Sequence, residues 1–324
     1  MEKKTPLAFF AYNRPTHTKR ALEALTNCSR FDEVEIYIYS DGPISGDASS
    51  GVHETRKVLR DWAETYKSNL IEQSQNLGLA KAIVNGVSEL CARYGRVIVV
   101  EDDLVVSPDF LHYMIETLDH YEKDENVMQV GGCTISAPRE LTADVFLLPV
   151  TTTWGWATWQ RSWQHFSWQP EHLEAARHDS DWKKLFDLNG TCAFTSMLED
   201  RLAGKNNSWG ILWWYVVSRR RGLVAYPAQS LVWNGGFDGT GIHCGSSDFL
   251  QQSDASLLGR SNYLPNSLRY PLYTKVIPEN LLRLEDFFRS KLESHDSKKT
   301  SKGLKQIILY LSKKYTDKIR NAFC

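Results

Sequence analysis

A chain of 324 residues is long enough for one large domain or two small ones, and a content of 42% hydrophobic and 24% charged residues excludes wholesale disorder. A formal net charge of −1 leaves no electrostatic footprint for nucleic acid. No apolar run reaches the roughly 18 residues of a membrane span, and the run before Tyr12-Asn13-Arg14 is too short for the core of a secretory leader.

Six scattered cysteines (Cys28, Cys91, Cys133, Cys192, Cys244, Cys324) show neither CxxC nor zinc-type spacing and read as reduced thiols of a cytoplasmic protein. Residues 7–11 (LAFFA) predict a buried strand broken by Asn13-Arg14-Pro15, and Ala21, Leu22, Leu25 and Cys28 follow at helical spacing. Residues 34–39 (VEIYIY) predict a second strand, closed by the turn cluster Ser40-Asp41-Gly42-Pro43. Val58, Leu59, Trp62, Ala63 and Tyr66 mark a helix, and residues 70–74 a short strand. Leu79, Ile83, Gly86, Val87, Leu90, Cys91 and Tyr94 give an amphipathic helix. Residues 97–100 (VIVV) read as a strand covered on both faces. This alternation predicts an α/β first half with a mostly parallel sheet, whose ligands bind beyond the carboxyl ends of the strands. The polar exits Asn13-Arg14, Ser40-Asp41 and Glu101-Asp102-Asp103 are expected to converge on one edge.

The second half is less regular. Strands are predicted over 127–131 and 145–149, an apolar element over 209–218, and strand, proline, strand over 223–233. Glycines then crowd between Gly235 and Gly245, around Asp238 and His243. Every tryptophan but Trp62 lies between Trp154 and Trp233, which fits either a surface that stacks on sugars or an aromatic core. Residues 291–303 read as a linker, and Leu304, Ile307, Ile308, Leu311, Tyr315, Ile319 and Phe323 line one face of a terminal helix. Residues 298–320 carry seven Lys, one Arg and the single acid Asp317, suited to an anionic membrane surface or to a solvated helix packed on the body or on another subunit.

Three consecutive acids after a buried strand repel one another unless a cation sits among them. Hard carboxylate oxygens favour Mg²⁺, Mn²⁺ or Ca²⁺, and a site with one or two protein carboxylates suits a cation shared with substrate phosphates. A solvated acidic turn is the plainer alternative. Asp41 is placed to accept from a base or ribose, and Arg14 to pair with phosphate or base oxygens. Asn76 and Gly78 precede a helix N-terminus that favours anions, with Lys81 either serving it or simply exposed.

The run 97–114 (VIVVEDDLVVSPDFLHYM) resembles the metal-binding stretch of GT-A fold nucleotide-sugar glycosyltransferases, of the N-glycan N-acetylglucosaminyltransferase type and its bacterial family 2-like relatives. FFAYNRP (9–15) and YSDGP (39–43) resemble the first two strand exits, and QNLGLAKA (75–82) the family 2 helix start. TWGWATWQRSW (153–163) is similar to the acceptor-side segment, and YPAQSLVWNGGFDGTGIHC (226–244) to a closing segment. The resemblance implies a GT-A, Rossmann-like α/β fold with a C-terminal helical extension. Its domains would be 1–245, split at 125/126 into nucleotide-binding and acceptor halves, a 246–290 extension, and the 291–324 linker and basic tail.

Position by position, the resemblance implies Asp103 as the direct metal ligand, with His243 as a late metal or phosphate contact or a plain loop histidine. Asp102 would meet ribose or metal-bound water, and Glu101 would support the donor. Asp41 would read the base with Asn13 and Arg14 nearby, and Trp156 would line the donor-sugar or acceptor pocket. One departure stands out. Where Trp209 and Pro227 align with the family's Trp-Asp-Asp-Trp region, the place of the proton-accepting acid holds Gly210 or Ile211. Glu199 and Asp200 are the first candidates for that role, or merely solvated helix residues, and Asp238 is the second. The function implied is a Mn²⁺- or Mg²⁺-dependent, inverting transfer of a hexosyl or N-acetylhexosaminyl group from a nucleoside-diphosphate sugar to a glycan or lipid-linked glycan. The setting would be bacterial surface polysaccharide synthesis, in the cytoplasm or on the inner membrane face. A nucleotidyltransferase and a catalytically degenerate glycan- or nucleotide-binding module are the alternatives.

Overall fold

The computed structural model describes residues 4–44, 49–138, 142–237 and 264–296. In the first half β1 (Thr5–Ala11), α1 (Pro15–Thr26), β2 (Val34–Ser40), α2 (Ser49–Tyr66), β3 (Asn69–Glu72), α3 (Leu79–Tyr94) and β4 (Arg96–Glu101) alternate as expected. Then come β5 (Leu104–Val106), α4 (Phe110–His120), β6 (Val127–Gly131), β7 (Val145–Leu148) and β8 (Trp156–Trp159). Four short helices follow, α5 (Gln160–Trp163), α6 (Leu173–His178), α7 (Ser180–Phe186) and α8 (Phe194–Leu202), and then α9 (Gly210–Arg219). β9 (Leu223–Pro227), β10 (Val232–Asn234) and α10 (Pro278–Asp296) complete the described chain.

Eight strands form one sheet in the order β3-β2-β1-β4-β8-β6-β9-β7. β3, β2, β1 and β4 are mutually parallel, as is the β6–β9 pair, while β8 runs antiparallel between β4 and β6, and β7 antiparallel on the edge beside β9. Side chains alternate across the sheet because the strand period is two. Leu7, Phe9 and Ala11 of β1 face one core with α1 and α4, whereas Ala8 and Phe10 face the other with α3 and α9. In β4, Ile98 and Val100 join the first core, and Val97 and Val99 the second. Burial on both faces explains the unbroken VIVV run.

β5 and β10 form a separate antiparallel ribbon beyond the main sheet. Neither β5 nor β8 is evident in the sequence, because the partners of each lie far away along the chain. The strand predicted over 145–149 stops at Leu148, before Pro149, and α10 runs to Asp296, into the segment read as linker. Cys28, Cys91, Cys133 and Cys192 are buried and form no disulfide among the described residues, and Cys244 and Cys324 lie outside them. No helix among the described residues is long and apolar enough to cross a membrane.

The tryptophans decide between their two readings. Trp154, Trp156, Trp159, Trp163, Trp182, Trp209, Trp213 and Trp214 are all buried, while Trp233 is half-buried and Trp168 exposed. Trp156 stacks on Trp209 at 5.4 Å between centroids and touches Trp163 and Trp213. Trp213 Nε1 donates to Gln129 Oε1 at 2.7 Å, and Gln129 Nε2 donates to the Thr152 carbonyl. The cluster is an aromatic core with an internal polar tie. Trp156, expected to line a donor or acceptor pocket, has 0% exposure and packs within this core, its Nε1 buried without an acceptor among the described residues. Trp156→Phe is expected to remove about 2 kcal/mol of stability in urea denaturation through lost packing, with nucleotide affinity unchanged by calorimetry. Lost affinity in a stably folded variant would restore the pocket role.

Candidate active site

The parallel register fixes the geometry of the three strand exits. Phe10 pairs with Glu101 and Ala11 with Ser40, so β2, β1 and β4 end level, neighbouring strands about 4.8 Å apart. Asp41, Arg14 and Glu101-Asp102-Asp103 thus share one edge.

At its centre sits Arg14. Its Nη2 forms an ion pair with Asp102 Oδ1 and a second, at 3.0 Å, with Asp103 Oδ2. The Tyr12 backbone N–H donates to Asp102 Oδ2 at 3.2 Å. Burial opposes the Arg14 charge, but Asp102 and Asp103 more than offset it and hold the guanidinium above its ordinary pKa. Burial pushes Asp102 up, and Arg14 counters in part. Glu101 is pushed well above the usual carboxylate range by burial and then by repulsion from Asp103 and Asp102. A carboxylate held high opposes the ionised fold. That cost is fully present above its raised pKa and is relieved as pH falls through it. The edge is therefore short of positive charge even with Arg14 in place.

The sequence around Arg14 is spent on this arrangement. Arg14 occupies the N-cap of α1 without a side-chain capping bond, where Ser, Thr, Asp or Asn is preferred, and Pro15 starts the helix. The glycine-rich closing segment covers the far side of the acids. β10 pairs with β5, setting Asn234 opposite Leu104, and the Gly235 N–H donates to the Asp103 carbonyl at 2.8 Å. The Gly236 N–H donates to Asn234 Oδ1 at 2.8 Å. A Cβ on Gly236 would stand 2.6 Å from Asp103 Oδ2, so a side chain there would push that carboxylate aside. Arg20 of α1 lies over the Trp233 ring at 4.5 Å and ties the ribbon to the body. Sequence reasoning missed this β5–β10 clasp; its signals were the short apolar runs LVV and LVW beside the acids and the double glycine.

Asp41 has a different occupation. Its Oδ1 accepts from the N–H groups of Gly42 and Leu77, both at 2.8 Å, and its Oδ2 from the Gly78 N–H at 2.9 Å. The Asn76 side chain donates to the Gly42 carbonyl at 2.9 Å. Gly78, with φ at +76°, forms the N-cap of α3 in a backbone conformation L side chains rarely adopt. Asp41, Asn76 and Gly78 thus clamp the second exit to the start of α3, and the amides expected to face an anion already face Asp41. Lys81 is exposed on α3, and Asn13 lies against the first turn of α2 at Gly51.

The proposed proton acceptors are committed elsewhere. Glu199 receives both arms of Arg177, at 2.8 and 2.7 Å, and the hydrogen bonds from Arg177 hold its pKa below the ordinary value. Asp200 pairs with Lys205 at 3.1 Å. Neither is joined to the acidic edge by a hydrogen bond or ion pair among the described residues. Asp238 and His243 lie outside the described residues. Among the described residues no group of three or more His, Cys, Asp or Glu is arranged to hold a metal.

The donor set still fits a shared cation. Asp102 and Asp103 offer hard oxygens, the Arg14 guanidinium already stands between them as a positive charge, and Gly236 leaves Asp103 Oδ2 uncrowded. Two carboxylates leave the other positions to water and substrate oxygens, the pattern Mg²⁺ favours with phosphates.

The family model described as glycosyl transferase family 2 matches residues 9–197. No curated protein matches the chain. Among solved structures, S. aureus TarS aligns at 16% identity and TM-score 0.31, over 46% of this chain and 25% of its own. GalNAc-T7 with UDP, GalNAc and Mn²⁺ aligns at 9% identity and TM-score 0.43, over 69% and 42%. Glucosyl-3-phosphoglycerate synthase from Mycobacterium tuberculosis, with Mn²⁺, UDP and glucosyl-3-phosphoglycerate, aligns at 12% identity and TM-score 0.31, over 49% and 57%. The chain spans less than two thirds of the length of each of these three.

Two substitutions test the geometry. Arg14→Met leaves the Asp102–Asp103 pair uncompensated and is expected to cost about 3 kcal/mol in urea denaturation without metal; an unchanged midpoint would show the ion pairs carry no weight. Gly236→Ala is expected to displace the Asp103 carboxylate and depress divalent-cation binding in a calorimetric titration, while thermal melting changes little.

Proposed function

The chain belongs to glycosyl transferase family 2, with the GT-A architecture of a mostly parallel sheet flanked by helices, and we propose that it transfers a sugar from a nucleoside-diphosphate donor to a glycan hydroxyl. The observation that carries this reading is the single sheet edge on which Asp102, Asp103 and Arg14 meet beneath the Gly235-Gly236 turn.

Asp103, with Asp102, would hold Mn²⁺ or Mg²⁺, and a bound cation supplies charge stabilisation to the departing diphosphate. The chain's own part is positioning. Asp41 clamps the loop that opens α3 and shapes the floor for the base and ribose. Arg14, already shared by two anions, is placed to take a phosphate oxygen when a donor arrives. Burial and its acidic neighbours oppose the charge on Glu101, so a cation at this edge would favour its ionised form.

Inverting transfer needs a base for the acceptor hydroxyl. Glu199 and Asp200 are engaged in ion pairs, so Asp238, which follows directly on the turn that touches Asp103, becomes the first candidate. The sugar as hexose or N-acetylhexosamine, a lipid-linked acceptor, surface polysaccharide as product and peripheral attachment through the basic tail belong to the same reading. The Gly210-Ile211 departure favours one alternative, a binding module without turnover. Release of nucleoside diphosphate from a sugar nucleotide separates the two, and release of pyrophosphate would mark a nucleotidyltransferase.

Asp103→Ala is expected to lower nucleoside-diphosphate release on the order of a hundredfold or more and to abolish metal-dependent nucleotide binding while the protein stays folded. Full activity in that variant, or in EDTA, would overturn the assignment. Mn²⁺ with a nucleoside diphosphate is expected to raise the melting temperature at neutral pH and to raise it less near pH 5, as protons taken up by Glu101 and Asp102 compete with the cation.

A further inference from the structure

Away from the acidic edge, the last strand of the sheet borders a second concavity. A cleft of about 510 Å³ opens between the edge strand β7, the 271–277 loop and the start of α10. That volume lies within the range of small-molecule sites. Its walls are largely apolar, with the free edge of β7 at Val145–Leu147 on one side and Ile277 and Leu282 also in the lining.

The polar part of the lining is unusual in its pairing. Lys275 and Arg283 both line the cleft, and neither has a carboxylate within ion-pair distance among the described residues. The neighbouring arginines do find acids, Arg269 on Asp144 at 2.8 Å and Arg289 on Asp286 at 2.7 Å. Glu279 also lines the cleft, one helical turn before Arg283, at the spacing where Glu and Arg commonly pair on a helix. No such pair forms. Arg283 Nη1 is buried with no hydrogen-bond acceptor, and the Lys275 ammonium rests 5.0 Å from the centre of the Tyr273 ring. A buried guanidinium nitrogen without an acceptor is a standing demand for an anion.

The rim adds a third feature. Leu272 is 93% exposed, and Tyr273, Ile277 and Leu282 are exposed beside it. Ile277 and Leu282 belong to the lining and Leu272 and Tyr273 to the loop that borders it, and exposed apolar side chains of this kind mark a surface that meets apolar matter.

From these observations we propose that the cleft binds a lipid-like amphiphile, a single alkyl chain with an anionic head. The chain lies along the β7 edge against Ile277 and Leu282, and the head pairs with Arg283 and Lys275. The site is separate from the acidic edge and does not depend on the transferase reading.

The test is a calorimetric titration of the full-length chain with decyl phosphate below its micellar concentration. Inorganic phosphate supplies the head without a chain, and decyl maltoside a chain without charge. The wild type is expected to bind decyl phosphate at least about tenfold more tightly than Arg283→Gln, as for a charge-assisted hydrogen bond lost, and more tightly than either control compound. Leu282→Glu, which sets a carboxylate and a smaller apolar wall at the mouth, is expected to weaken binding in the same direction. Thermal melting without amphiphile verifies that both variants fold. Equal affinity of wild type and both variants overturns the proposal, as does binding of inorganic phosphate or decyl maltoside as tight as that of decyl phosphate.

Discussion

The architecture is organised around one electrostatic problem, three carboxylates in a row at the end of a buried strand. Like charges at this spacing raise one another's pKa, and burial adds to the cost. Arg14 answers part of it, bridging Asp102 and Asp103 from the exit of the adjacent strand. That answer works only because β1 and β4 are parallel neighbours in register, which brings the residues after Phe10 level with those after Glu101. It also explains two local departures from ordinary sequence preference. A helix begins without a capping side chain because its N-cap carries the counter-charge, and a double glycine lies where a Cβ would strike a carboxylate.

Much of the first half was legible because its signals are local. Period-two burial, helical spacing and turn clusters recur in short windows, and α3 begins and ends at the residues its apolar stripe indicates. The convergence of three polar exits followed from the general rule for parallel sheets. What escaped is non-local. β8 enters antiparallel between β4 and β6, and β5 is a strand only because β10, more than a hundred residues later, supplies its partner. Nothing within Leu104–Val106 marks it as paired.

The tryptophans show where composition misleads. Indole rings suit both sugar-binding faces and interiors, so their number does not discriminate. Their N–H groups do. Trp159 donates to the Leu118 carbonyl, Trp163 to Ser88, Trp182 to Ser218, and Trp214 to the Phe186 carbonyl. Rings whose donors are met by their own chain are built into the core, whereas Trp156 and Trp209, whose N–H groups meet no acceptor among the described residues, are placed there by their burial alone. Only pairing information that a sequence does not carry separates them from rings awaiting a ligand.

The same logic of commitment bears on the acids. A carboxylate can act on a substrate to the extent that its lone pairs are not already taken. Asp41 has given three acceptor positions to backbone N–H groups, and Glu199 has given both oxygens to Arg177. Gly210 and Ile211, where the resemblance would put the family's acid, lie on the buried first turn of α9. An acid there would stand in an aromatic core with no cation to meet it, at a cost on the order of several kcal/mol. In this chain the buried packing of α9 opposes an ionised acid at that position.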